Sequence, residues 1–186
     1  MAVEDKISID IYKVVTRAIA KSDNLETMAK QLTRLLVGAL EIKGCTIFVL
    51  NPVTDELETL GSFGLSINYI NKGPILVSKS IDHQSRLEPM VIQVVTASDS
   101  LQYPADAQKE GIKAIISLPI TLYEKFIGAL RLYHYEEWEI SQRDLDSLMT
   151  LAENIGLAMM YTRLLNAVQS VKETVKGIHP IWLDKK

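Results

Sequence analysis

The stretch that decides the fold runs from Ile112 to Leu165. It reads IKAIISLPI (112–120), TLYEKF (121–126), IGALRLYHY (127–135) and YEEWEISQRD (135–144), then a long apolar-periodic run ending MMYTRLL (159–165). Two strand-length apolar runs flank a short turn carrying Glu124 and Lys125, the pattern of an antiparallel hairpin. After Ser141 the apolar period changes from two to about 3.6, so a helix follows and lies against that hairpin. Ser141 and Asp144, three residues apart, supply its N-cap signal. Pro119 has no N–H for a ladder, which predicts a bulge, a strand end or an edge-facing position. Gly128 lets another backbone approach closely. Arg131 alternates with Ala129 and Tyr133, whereas Leu130 and Leu132 point to the other side. Leu145, Leu148, Ala152, Ile155, Met159 and Thr162 form one helical stripe, broadened by Leu151, Ala158, Leu165 and Val168. One sheet needs less apolar surface than that, and burial in a dimer accounts for the excess.

Working outward, PADAQKEG (104–111) reads as a short helix with Pro104 in its first turn and Gly111 at its end. Before it, MVIQVV (90–95) is a strand candidate and Ile75 to Val77 a smaller one. Leu65 to Ile70 forms one short helical turn before the break at NKGP (71–74), and Ser80 to Glu88 is polar. CTIFVL (45–50) and Leu57 to Phe63 make a first hairpin around the turn-forming NPVTDE, with Gly61 a bulge or a point of close packing. Asp23 and Glu26 suggest a capping box for a helix that buries Leu25, Met28, Ala29, Leu32, Leu35, Leu36, Ala39 and Leu40. Ile7, Ile11, Val14, Val15, Ala18 and Ile19 describe an earlier amphipathic helix, separate from the next or a bent continuation of it. At the other end Val168, Val171 and Val175 extend the last helix. Gly177 and Pro180 then break the pattern, leaving Ile178, Ile181, Trp182 and Leu183 to dock or to form a loose tail.

A chain of 186 residues, 47% hydrophobic, can bury one substantial core, so a single domain with helical extensions is expected. The division is an N-terminal dimerisation helix over 1–22, a domain over 23–168 and a C-terminal helical extension and tail over 169–186. A net charge of −3 gives no general attraction to nucleic acid or to anionic membrane. Helix-turn-helix and RNP-like motifs are absent from the sequence, and Glu173 and Asp184 interrupt the lysines near its end. No uninterrupted apolar segment reaches the ~18 residues of a membrane span. One cysteine, Cys45, and no signal-peptide pattern point to a cytoplasmic protein.

Few residues propose chemistry. His83, His134 and His179 make no HExxH motif and none lies close in sequence to Cys45, so no linear metal motif exists. Cys45 opens a core strand and reads as a buried thiol. Asp82, Glu88, Asp99, Asp106 and Glu110 could approach one another in the irregular middle, or remain a solvated surface. No GxGxxG or Walker-type sequence is present. Lys72, Lys79 and Arg86 would favour an anionic ligand if the middle closes over a pocket. Arg131 can stand at a cavity wall, or pack its stem and keep its head wet.

Taken together, CTIFVL…LETLGSFGL, YPADAQKEGIKAIISLPI and FIGALRLYHYEEWEISQRDLDSLMTLAENIGLAM resemble the GAF domain family over about Leu25 to Leu165, in order of elements as well as in sequence. The resemblance implies an α+β fold: a central antiparallel sheet of five or six strands, terminal helices packed on one face, and a variable middle that closes a pocket on the other. It also implies a stand-alone sensory or regulatory domain that dimerises through terminal helices and acts on a signalling partner. Relatives bind cyclic nucleotides, tetrapyrroles, haem or other small molecules, so no cofactor is named. The Asn–Lys–Phe–Asp–Glu set of the cyclic-nucleotide binders is not matched here. Cys45, in the first strand, is not where phytochrome-like domains attach a bilin, and related sulfoxide reductases use several cysteines. A non-catalytic, ligand-binding role is therefore expected, with Phe63, Tyr69, Val94, Tyr103, Ile116 and Arg131 around the ligand. The other reading is an interaction or dimerisation module with an empty core.

Overall fold

Alternation in the strands sets up a sheet with two different faces. In the computed structural model, which describes residues 7–22, 24–79, 87–92 and 101–183 (side chains to Thr174), six strands pair antiparallel throughout. They are β1 (Gly44–Asn51), β2 (Glu56–Phe63), β3 (Ile75–Leu76), β4 (Met90–Ile92), β5 (Ala114–Leu122) and β6 (Lys125–His134), in spatial order β3-β2-β1-β6-β5-β4. The helices are α1 (Ile9–Lys21), α2 (Leu25–Leu40), α3 (Ile67–Ile70), α4 (Pro104–Lys109) and α5 (Gln142–Leu183). This is the α+β architecture that the alternation and the resemblance predict.

The main core lies between one face of the sheet and α1, α2 and α5. Cys45, Ile47, Ile116, Leu118, Ile120, Leu130 and Leu132 meet Leu32 and Leu36 of α2 and Leu148, Ala152 and Ile155 of α5. Gly61 is required by this packing: a Cβ there would stand 2.7 Å from the Ala29 backbone, closer than any side chain tolerates. The register of β1 on β2 also slips beside it, with Ile47 opposite Gly61 but Phe48 opposite Thr59, so Leu60 is the extra residue of a bulge. The close-packing reading of Gly61 holds, and the bulge falls one residue earlier, at Leu60. Pro119 lies beyond Ser117, the last β5 residue that β4 pairs, and beside a register slip at Ile120/Thr121. Its missing N–H therefore falls where the ladder is already incomplete.

Two boundaries differ from the sequence reading. Asn24 caps α2, its side-chain oxygen accepting from the Thr27 N–H at 3.1 Å, whereas Asp23 of the expected capping box lies outside the described residues. Of the strand read over 90–95, Met90–Ile92 is a strand and residues 93–95 lie outside the described residues. The last helix continues through Gly177 and Pro180 to Leu183 instead of breaking. Proline's fixed φ suits a helix, so its cost there is a lost hydrogen bond and some crowding rather than a forbidden backbone.

α1 and α2 are separate helices, and α1 is tied to α5. Asp144, buried at the start of α5, accepts from the Ile7 N–H at 2.9 Å, and Asn154 donates to the Tyr12 hydroxyl at 2.6 Å. No helix among the described residues is long and apolar enough to cross a membrane.

Candidate functional site

On the face away from α2 and α5 the same strands carry a different set. Phe48, Leu57, Ile75, Val77 and Ala129 form one small apolar cluster, and Tyr69, Ile92, Ala107, Ile112, Ile115 and Tyr133 form another. Arg131 stands between them. Its guanidinium carbon lies 5.1 Å from the centre of the Phe48 ring, and its Nε donates to Ser117 Oγ at 3.4 Å. Arg131 is only 5% exposed, so the reading that keeps its head wet does not hold. Its neighbours Leu130 and Leu132 lie in the main core, as alternation requires.

Loops bring the remaining walls. Ser66 caps α3 by accepting from the Tyr69 N–H at 3.2 Å, and Ser66 in turn gives its own N–H and its hydroxyl proton to Glu110, just beyond α4. Lys43 lies 3.8 Å from the same carboxylate. Burial would raise the pKa of Glu110, but the Ser66 hydrogen bonds and the Lys43 charge hold it below the usual value. This linkage fixes Tyr69, whose ring meets Tyr133 edge-on at 5.8 Å and whose hydroxyl is pushed up, chiefly by burial. Lys72, one turn on, donates to the Tyr69 carbonyl at 3.0 Å and sets its ammonium 3.9 Å from the Tyr69 ring centre and 5.9 Å from that of Tyr103.

The Tyr103 hydroxyl donates to the Pro74 carbonyl at 2.8 Å. Gly73 permits this, since its φ of +132° is open mainly to glycine and a Cβ there would lie 2.7 Å from that hydroxyl. Gln102 closes the corner: its amide donates to Pro74 O and to the Tyr103 hydroxyl, and its carbonyl accepts from Leu76 N, each at 3.0 Å. Tyr69, Lys72, Ile75, Leu101, Gln102, Tyr103 and Arg131 then line a small space of about 20 Å³. Burial, and after it the Arg131 charge, hold the Lys72 ammonium down to a pKa of about 8, against the opposing fields of Asp106 and Glu110.

Of the six residues expected around a ligand, the structure brings Tyr69, Tyr103 and Arg131 together. Ile116 faces the main core. Phe63 is also on the helix side, with the Arg34 guanidinium 5.8 Å from its ring centre, because the bulge at Leu60 reverses the alternation of β2. Val94 lies outside the described residues, as do Asp82, His83, Arg86 and Asp99. Lys72 joins the site from the candidate cations, and Gln102 completes it. Its position in a loop before a helix carries no signal that its amide will read the backbone of β3.

Two further features bear on function. Cys45 is fully buried on the helix side and burial pushes its thiol up. Among the described residues no group of three His, Cys, Asp or Glu is placed to hold a metal ion. A larger groove of about 470 Å³ lies elsewhere, where Met159 and Arg163 of α5 meet Leu25, Val49 and Ile127. It is open and mostly apolar, with Glu58 and Arg163 among its lining residues, and it adjoins the part of α5 that leaves the body. From Arg163 to Thr174 every described side chain is exposed. We take the small charged space, not this groove, as the candidate ligand site.

Comparison with known proteins agrees with this architecture. The GAF domain model matches residues 24–159. Among solved structures, the GAF domain of a phosphoenolpyruvate-protein phosphotransferase from Coxiella burnetii superposes with a TM-score of 0.76 at 19% identity, covering 86% of this chain and 96% of that one. The corresponding domain from Acinetobacter gives 0.72 at 14% identity, covering 86% and 96%. A free methionine-R-sulfoxide reductase from Neisseria meningitidis, solved with its substrate, gives 0.70 at 14% identity, covering 88% and 98%. At these identities the likeness is one of fold. Comparison with curated protein sequences finds no match. With the family model spanning most of its length and all six strands in place, this chain belongs to the GAF domain family.

Proposed function

We propose that this chain is a non-catalytic sensory or regulatory domain of the cytoplasm. It holds a small molecule on the open face of its sheet and signals to a partner protein through a helical homodimer. The observation that carries the reading is the convergence of Arg131, Lys72, Tyr69, Gln102 and Tyr103 on one space from three separate chain segments. A buried arginine at the centre of a sheet costs desolvation that a plain structural core avoids by using apolar residues. Seating on loops held by side-chain-to-backbone hydrogen bonds lets occupancy alter α3 and α4 without disturbing the main core. The non-catalytic part is supported by the position of Cys45, buried on the opposite face with its thiol pushed up.

The output surface is α5. Leu157, Tyr161, Leu164, Val168 and Val171 are all exposed, and they are spaced alternately four and three residues apart. That is the a/d pattern of a coiled coil, and a second copy of the same helix satisfies it. The test is sedimentation of the intact chain and of a Leu164→Glu/Val168→Glu variant. Wild type sediments as a dimer, and the variant as a monomer of unchanged circular dichroism. A monomeric wild type at tens of micromolar contradicts the output half of the proposal.

The second reading, an interaction or dimerisation module with no physiological ligand, is favoured by one observation: the enclosed space is only about 20 Å³, roughly room for a single water. Amide NMR separates the two. A ligand reading requires some small molecule to move the resonances of Lys72, Gly73, Gln102 and Arg131 to saturation, and the empty-core reading requires none to do so.

A further inference from the structure

We infer that α5 pairs with the same helix of a second copy in parallel and in register from Leu157 to Trp182, so that both helices leave their bodies side by side in one direction. This rests on the homodimer reading above and adds its direction, register and reach.

The register runs without a break. Leu157, Leu164, Val171 and Ile178 hold successive d positions, and Tyr161, Val168, Val175 and Trp182 hold the a positions between them. The backbone is helical across the whole run, a length of about 40 Å at ~1.5 Å per residue. Leu157, Tyr161, Leu164, Val168 and Val171 are each between 56% and 63% exposed. Toward the start of α5 the apolar seam stops. The preceding a and d positions are Asn154, already bonded to Tyr12 of α1, and the exposed Thr150. At the far end Gly177 and Pro180 fall at c and f, off the seam, so the missing side chain of one and the missing N–H of the other leave the contact untouched. A helix that carries such a seam away from its own body needs a partner to be stable in water.

Direction follows from the width of the seam. The eight apolar positions can also be matched antiparallel, with Val168 opposite Val171 and Leu164 opposite Val175. The flanking e and g positions break that tie. Near the body they are apolar: Met160 at g and Leu165 at e are 39% and 40% exposed, and alanines hold 158 and 167. Farther out stand Lys172, Thr174 and His179, with Ile181 the apolar exception. Parallel pairing sets each g beside the next e of the partner, so Met160 meets the partner's Leu165 on both flanks and wide faces wide. Antiparallel pairing sets e beside e, and Leu165 then falls beside the partner's Lys172 on both sides of the dimer. Leucine at d with valine at a, as at Leu164 and Val168, is also the combination that favours two parallel strands. The consequence is directional: a parallel pair presents both helices to one partner protein, whereas an antiparallel pair sends them apart.

The experiment is disulfide trapping in the intact chain, alongside sedimentation of the wild type. Cys45 is fully buried and stays in place. Leu164→Cys and Ile178→Cys each put one thiol at a d position, and Ser170→Cys puts one at c, off the seam. Under mild oxidation, parallel pairing links Leu164→Cys to itself and Ile178→Cys to itself, each at least about tenfold faster than Ser170→Cys, because only the seam positions meet disulfide geometry. Antiparallel pairing holds the same two self-pairs about 17 Å and about 26 Å apart along the axis, and instead links Leu164→Cys with Val175→Cys when the two are mixed before oxidation. That mixed link without the self-links overturns the parallel direction and leaves the homodimer standing. Self-linking of Leu164→Cys but not of Ile178→Cys overturns the reach of the coil beyond Val171. A wild type that sediments as a monomer, or a dimer in which no α5 pair links, overturns this inference together with the output half of the proposal.

Discussion

Leu130 and Arg131 are neighbours in one strand, and they belong to two different interiors. Leu130 joins the aliphatic layer between the sheet and α2 and α5, where contacts are numerous and the only fine requirement is volume. Arg131 joins a face whose residues are positioned by named hydrogen bonds: Ser117 to the guanidinium, Gln102 to the edge of β3, Glu110 to the cap of α3. The first kind of interior supplies stability through buried area. The second contributes less per residue and specifies where each group stands. Separation of the two across one sheet lets the open face bind and rearrange without unfolding the domain.

The sharpest way to break this comparison is to truncate on each side. Leu130→Ala, fully buried in the main core, should cost about 2–5 kcal/mol in chemical denaturation. Gly61→Val, which forces a side chain into the Ala29 backbone, should cost about 1–3 kcal/mol by overpacking. On the open face Tyr103→Phe removes the bonds to Pro74 and Gln102 and should cost only about 0.5–1.5 kcal/mol, while loosening the Gly73 loop in amide exchange. Equal losses at Leu130 and Tyr103 would show that the two faces are one cooperative core.

Lys72 provides the smallest and most specific effect. Its folded pKa of about 8 lies below the ordinary lysine value of 10.5. The folded state is therefore penalised fully below pH 8, where the ammonium is charged in both states. The penalty is relieved as pH rises from 8 toward 10.5, because there the unfolded chain binds more protons. Wild type should gain stability relative to Lys72→Met across that window, measured as the difference in urea midpoints at pH 7.5 and 9.5. A constant difference would place Lys72 in water.

The elements legible in sequence are those whose pattern is long. Both hairpins, α2 and α5 follow from alternation, period and turn residues, and so does the placement of Leu130 and Arg131 on opposite faces. Facing was harder elsewhere for identifiable reasons. Ile116 lies in IISLPI, a run apolar on both faces, so only its pairing with Leu132 decides its side. Phe63 follows a bulge, and one extra residue exchanges inside for outside. Asp23 and Asn24 are both competent caps, and the structure shows Asn24's oxygen meeting the Thr27 N–H. The site itself is assembled from α3, β3 and α4, elements of two to six residues. Elements that short are fixed by tertiary hydrogen bonds such as Glu110 to Ser66, which no local pattern encodes.

Native mass spectrometry of gently purified protein tests the central claim most directly, with each species then denatured to release any bound mass. The account predicts a dimer carrying a small non-covalent mass, with that mass diminished in Lys72→Met and unchanged in Leu130→Val, whose fold is intact. A ligand-free species in every preparation, whose mass spectrum Lys72→Met does not alter, would contradict it.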